Sequence, residues 1–161
     1  GADILAEVLG GASTADAHHI TAPSPGGMGA VTCMRLALEE AGVEPHQVSH
    51  VNAHGTSTPL NDMAEAVAMT EVFGADGPLV TSTKGITGHT LGAAGAIEAV
   101  AVVLSMDKGL IPPTAGYTTP DPDMPALDLV TGAPAPWEPG ISMSNSFGFG
   151  GHNGSVVLAP A

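Results

Sequence analysis

Residues 81–95 read Thr-Ser-Thr-Lys-Gly-Ile-Thr-Gly-His-Thr-Leu-Gly-Ala-Ala-Gly, or TSTKGITGHTLGAAG. These fifteen positions hold one of the chain's two lysines, a histidine five residues later and four glycines. Leu79 and Val80 lead in, and an apolar segment from Ala93 to Leu104 leads out. The pattern predicts a strand, a tight polar loop and a buried helix. Packing alone gives no reason to place Lys84 and His89 at the start of a buried helix, so chemistry is expected in this loop.

On either side of it, strands and helices alternate. Ala2 to Leu9 reads as a strand already inside a sheet, and Gly10 to Gly27 as a loop rich in Ser, Thr, Pro and Gly. Met28 to Ala41 reads as a helix with Val31, Met34, Leu38 and Ala41 on one stripe, stopped by Gly42. Val48 to Ala53 is a buried strand, and HGTSTP is the turn at its end. Asp62 with Glu65 resembles a capping box opening a second helix, lined by Ala66, Met69 and Phe73 and ended by Gly74. Pro78 to Thr81 is the next strand, and a helix runs from about Gly92 to Lys108. Gly109 to Trp137 holds seven prolines and is expected to wrap the surface without regular structure. Ile141 to Ser146 and Ser155 to Leu158 are strands joined by the tight connection FGFGGHNG. The expectation is one layered α/β domain with a mixed sheet over residues 1–161.

Composition narrows the function. Of 161 residues, 43% are hydrophobic but only 3% aromatic, so the core is built from Ala, Val, Leu, Ile and Met. The net charge is −13, and Arg35, Lys84 and Lys108 are the only Lys and Arg residues. Such a chain repels phosphate backbones, which excludes nucleic-acid binding, and it disfavours anionic membranes. No apolar run reaches the roughly 20 residues of a membrane span; the longest, Ala93 to Met106, is broken by Glu98. The first residues carry no basic segment of a signal peptide. One cysteine, Cys33, excludes an internal disulfide and fits a reducing cytoplasm.

Three loops carry polar chemistry at strand ends: Asn52 to Thr58, Lys84 to His89, and Ser144 to Gly154. Loops at the carboxyl ends of strands in an open α/β sheet converge on one crevice. Two histidines, a lysine, two threonines and a glycine-rich backbone are therefore expected to face one site. Zinc would need a third ligand beside His54 and His89. No G-x-S-x-G elbow marks a serine triad. The glycines from Gly148 to Gly154 lack the following βαβ unit of a dinucleotide site. Cys33 lies mid-helix and reads as a small core residue. His18, His19, His46 and His50 read as surface or loop-structural, and His152 as structural. What remains is a histidine pair able to hydrogen-bond a developing enolate oxygen or move a proton, with Lys84 setting the local field. Glu98, alone in an apolar helix, needs a partner, and Lys84 is the natural one.

The segments VNAHGTSTP, TSTKGITGH-x-LGAAGAIE and SNSFGFGGHNG, in this order, resemble the three motifs in the C-terminal half of β-ketoacyl-[acyl carrier protein] synthases of the thiolase superfamily. The resemblance covers the whole chain and fits the elongating type I/II enzymes, which use two histidines. The initiating type III enzymes pair one His with an Asn, and biosynthetic thiolases place a Cys in the last glycine loop. The resemblance implies that His54 and His89 are catalytic and that Lys84 organises them, with Glu98 as its support. It implies that Thr56 and Thr58 meet a pantetheine arm. The Phe149 N–H would form half of an oxyanion hole, and its ring would gate the acyl pocket. Asn52, Glu98, Ser144 and Asn145 match positions that in some members surround a structural Na or K ion. No other cofactor is implied.

The same resemblance places the nucleophilic Cys in an N-terminal half that these 161 residues do not contain, and Gly1 is expected to mark that boundary. The implied function is decarboxylative Claisen condensation of malonyl-ACP with an acyl thioester. The implied partners are acyl carrier protein, a complementary N-terminal half, and a second subunit in a homo- or heterodimer. Acyl carrier protein is acidic, so its basic docking patch is expected on the complementary half. The alternatives are a malonyl-thioester decarboxylase and a non-catalytic partner of the chain-length-factor kind or a truncated product.

Overall fold

A computed structural model describes all 161 residues. In chain order its elements are β1 (Ala6–Ala15), α1 (Met28–Ala41), β2 (Val48–Asn52), α2 (Pro59–Phe73), β3 (Leu79–Thr81), α3 (Lys84–Thr87), α4 (Ala94–Lys108), β4 (Leu110–Ile111), β5 (Ala135–Pro136), β6 (Ile141–Gly148) and β7 (His152–Pro160). Five strands form a mixed sheet in the order β1-β7-β6-β2-β3. β2 is parallel to both β3 and β6, while β7 runs antiparallel to its neighbours β6 and β1. The parallel strands are adjacent, so their carboxyl ends open side by side.

The sheet's two faces differ in chemistry. Val51, Val80, Met143 and Val157 pack with Val31, Met34 and Ala37 of α1 and Ala68, Met69 and Val72 of α2 into one apolar core. Strand alternation sends His50, Asn52, Thr81, Ser142 and Ser144 to the opposite face, toward α4. There they are buried with Glu98 and Ser105 of that helix. The apolar part of this second layer is small: Val102, Met106 and Leu158, with Trp137 packed against them. Some of its groups are paired, Thr81 Oγ1 donating to Pro112 O at 2.7 Å and Ser105 Oγ to Ala101 O at 2.8 Å, while His50 Nε2, Asn52 Oδ1 and Glu98 Oε2 have no protein partner.

Several elements differ from their sequence reading. The first strand lies at the sheet edge and spans Ala6–Ala15, through Gly10 and Gly11. These glycines permit close approach: a Cβ at Gly10 would lie 2.6 Å from the Ala41 backbone nitrogen of α1. Glu40 accepts the Gly11 N–H at 2.7 Å, which occupies a donor on the open edge. The last two strands extend into the glycine connection, leaving only Phe149–Gly151 as a turn. Helix α2 begins at Pro59, a residue preorganised for a first helical position, so Asp62 and Glu65 form no capping box. The proline-rich segment is anchored to the other sheet edge. Val80 donates to Asp128 O at 2.8 Å and accepts from Val130 N at 2.9 Å. No helix is long and apolar enough to cross a membrane.

His50 is fully buried, in contrast to its surface assignment from sequence. Its Nδ1 lies 3.3 Å from Ser142 Oγ, its Nε2 has no partner, and its ring tilts against Trp137 at 5.6 Å. Burial lowers its pKa from 6.5 to about 4. Across that window the unfolded chain takes up a proton that the folded chain refuses. Stability from this group is therefore complete above the upper value and lost as pH falls toward the lower one. The expected loss is roughly 3 kcal/mol. Urea unfolding followed by Trp137 fluorescence across this window should show a shallower decline for His50→Phe. An identical decline would rule His50 out as its source.

Candidate active site

The pairing of β2 with β3 builds the site. Asn52 sits opposite Thr81, and Ala53 N–H donates to Thr81 O at 2.8 Å as the strands end. The two chains then open into the His54 loop and the Lys84–His89 loop, which lie against each other. The His54 and His89 rings meet edge-on with centroids 5.3 Å apart. Phe147, near the end of β6, tilts against His54 at 5.8 Å. The two histidines singled out in the sequence are thus brought together.

His54 is buried, and its pKa is lowered from 6.5 to about 3, first by burial and then by the charge of Lys84 and by His89. It is a neutral imidazole at any ordinary pH, and its Nδ1 has no protein partner. His89 is exposed, and its Nδ1 accepts the Leu91 N–H at 3.3 Å. In the neutral ring this leaves the proton on Nε2, free to be donated. Leu91 makes that bond from a left-handed backbone, φ +53°, a conformation rare for a leucine.

Lys84 opens α3 with its side chain buried and ion-paired to Glu98 of α4. Burial pushes the Glu98 carboxyl upward, and the hydrogen bond and charge of Lys84 oppose it. One carboxylate oxygen, Oε2, remains without a partner. Thr56 and Thr58 place their hydroxyls 2.8 Å apart on the turn after His54. A cavity of about 650 Å³ runs beside them, reaching Lys84 and His89 on one side and the Thr114–Thr119 segment on the other. Phe149 is 74% exposed at the tip of its turn.

The sequence reading missed the groups that hold these loops. Glu65 is 2% exposed and accepts the backbone N–H groups of His54 at 2.8 Å and Gly55 at 2.9 Å. Burial raises its pKa, and those same N–H groups and Lys84 counter the rise. Asp16 ties down the turn that carries Phe149. Its N–H donates to Gly151 O at 2.8 Å, and its carboxylate accepts from Asn153 at 2.7 Å and from Ser24 N at 2.8 Å. The lone acidic residue within a run of small ones was the available signal for Asp16.

The four residues matched to a cation site do not all face one place. Asn52 and Ser144 are ladder partners on the α4 side, and the Asn52 side-chain oxygen is buried and unpartnered, like Glu98 Oε2. These oxygens suit a small cation. The Asn145 amide lies on the opposite face, donating to Met34 Sδ at 3.3 Å and accepting from Ser155 Oγ at 2.8 Å. The set that fits is Asn52, Ser144 and Glu98.

The layered α/β domain thus presents a histidine pair and a buried lysine at the ends of its parallel strands. Residues 5–118 match the family described as beta-ketoacyl synthase, C-terminal domain, and the chain belongs to that family. It is similar to 3-oxoacyl-[acyl-carrier-protein] synthase 2 of Synechocystis, 48% identical over 99% of this chain and 38% of that protein. Among solved structures it superposes on the ishigamide ketosynthase/chain length factor with a TM-score of 0.95 at 39% identity, covering 99% of this chain and 39% of that one. It also matches a type II polyketide ketosynthase solved with its acyl-carrier protein, TM-score 0.94 at 37% identity, over 99% of this chain and 40% of that one. The chain thus spans about two fifths of the length of these relatives.

The Lys84–Glu98 pair sets a test of the site's energetics. Lys84→Met leaves a buried carboxylate without its counter-charge and should cost about 3–5 kcal/mol in urea unfolding. Adding Glu98→Leu should recover most of that loss. A double variant as unstable as the sum of the two singles would show that the pair is not coupled.

Proposed function

We propose that this chain is the histidine-bearing half of a β-ketoacyl-[acyl carrier protein] synthase and that it generates and holds the enolate of a malonyl thioester. The observation that carries this reading is the edge-on His54–His89 pair backed by the buried Lys84–Glu98 ion pair. Two imidazoles beside a buried cation suit an oxygen that gains negative charge during the reaction.

In the proposed reaction the malonyl thioester carbonyl lies between the two rings. His89 donates from Nε2, and His54 supplies the second contact. The bond to the carboxylate breaks, CO2 leaves, and its electron pair becomes the enolate. The enolate carbon then bonds to the acyl thioester carbonyl, the carbon–sulfur bond breaks, and a cysteine thiolate departs. Cys33 does not fit that last role, since it is fully buried and donates to Ala12 O at 3.4 Å. The nucleophile is therefore assigned to a complementary half outside these residues. Thr56 and Thr58 are assigned to the pantetheine arm. The Phe149 N–H is assigned to an oxyanion hole, and the Phe149 ring to the acyl gate. A Na or K ion, if resident, would be held by Asn52, Ser144 and Glu98, and would fix their positions electrostatically.

Partner surfaces support the same reading. Val100 and Leu104 form an exposed apolar stripe on α4, and Ile86 of α3 and Leu91 of the turn between the two helices are exposed apolar residues as well. We assign this stripe to the complementary half, within a homo- or heterodimer in the cytoplasm. The acidic balance of this chain assigns the acyl carrier protein contact to that other half as well. The pair of histidines and Lys84 favour this reading over a non-catalytic partner, since packing needs none of them.

Mixing this chain with a ketosynthase N-terminal half that carries the cysteine should give both CO2 release and chain elongation from malonyl-ACP. Release of CO2 without elongation would instead mark a decarboxylase. His89→Ala should lower CO2 release by at least about 10²-fold. Unchanged release would remove His89 from the mechanism, and elongation by this chain alone would overturn the assignment of the nucleophile.

A further inference from the structure

The His54 and Lys84 loops leave adjacent strands and then diverge, yet their side chains must meet. The last ladder bond, Ala53 N–H to Thr81 O, lies before His54. A second tie lies just after it. Ser82 Oγ donates to Gly55 O at 2.9 Å, while Ser82 N–H donates to Thr114 Oγ1 at 3.1 Å. His54 is therefore held on both sides to the loop that carries Lys84 and His89.

The bridge has little freedom. Ser82 is buried. A Cβ at Gly55, whose φ is +44°, would lie 2.6 Å from both Ser82 Oγ and Ser82 Cβ. A Cβ at Gly85 would collide with Ala115 O, one residue past Thr114. Thr114 is itself fixed, its N–H donating to Val130 O at 2.8 Å, and Thr81 Oγ1 donates to Pro112 O at 2.7 Å. The proline-rich segment thus braces the junction of the two histidine loops from outside. Glu65 holds the other side of the His54 loop through its N–H groups, so the Gly55 carbonyl is the point where the two loops are joined directly.

We propose that the Thr114–Ser82–Gly55 hydrogen-bond bridge sets the separation of the His54 and His89 rings. This makes Ser82 and Thr114 positioning residues for the histidine pair. The inference rests on the reading of that pair as the reacting donors, but its structural part stands apart from activity. Both side chains line the cavity beside Lys84 and His89, and both are engaged in the bridge. Both act through the placement of His54.

The test reads ring geometry and chemistry separately. In the 161-residue chain, nuclear Overhauser contacts between the His54 and His89 ring protons should be present in the wild type and in Thr114→Ser, which keeps the hydroxyl. They should be lost in Ser82→Ala and in Thr114→Val. If Ser82→Ala fails to fold, the Thr114→Val and Thr114→Ser pair decides the question. Ring contacts retained in every folded variant overturn the proposal. In the mixture with a complementary half, the two bridge variants should lower kcat for CO2 release about tenfold with KM unchanged, as expected when reacting groups are misplaced. A rise in KM alone would overturn the positioning role. If the wild-type mixture releases no CO2 while the ring contacts still depend on Ser82 and Thr114, the catalytic reading falls and the bridge stands.

Discussion

The buried ion pair between Lys84 and Glu98 is the constraint around which the site is arranged. It joins the start of α3 to the second turn of α4, across the turn that carries His89. Burying two charges is costly, and their attraction balances that cost only when the geometry is held. The polar layer between sheet and helix provides the setting, with Asn52, Ser144 and Thr81 lining the same face. The pair also acts on His54, whose imidazole is kept neutral partly by the nearby lysine charge. One interaction thus ties a loop to a helix and adds to the burial that keeps the His54 imidazole neutral.

A second set of contacts holds the backbone rather than the charges. Glu65 accepts the N–H groups of His54 and Gly55, while Ala53 N–H and Gly55 O reach across to Thr81 and Ser82. His54 therefore lies in a stretch whose neighbouring backbone groups are engaged from several directions. The proline-rich segment extends this support by lying along the edge of β3. Its conformation follows from contacts with Val80, Thr81 and Ser82, since prolines keep it out of a regular ladder.

Much of this was legible in the sequence, and the exceptions share a cause. His54, Lys84, His89 and Glu98 stood out because charged or titratable residues in apolar or glycine-rich surroundings demand an explanation. The order of strands and helices followed from periodicity, and α1 matches its expected bounds. Glu65 was misread because an acidic residue in the first turns of a helix fits a cap as well as a buried acceptor. Gly10 and Gly11 were read as the start of a loop because glycine marks both loops and close packing. The depth of His50 and the placement of Asn145 against α1 depend on which way each strand turns its side chains. Periodicity gives little guidance where a strand buries polar residues on one face and apolar ones on the other.

That two-faced sheet also shapes how the molecule responds to temperature. The α1 and α2 side buries hydrocarbon, whose exposure raises heat capacity on unfolding, whereas the α4 side buries hydroxyls, amides and an imidazole, whose exposure lowers it. The two layers thus oppose each other in the curvature of the stability profile. A domain built this way has a flatter dependence of stability on temperature than one of the same size with two apolar faces.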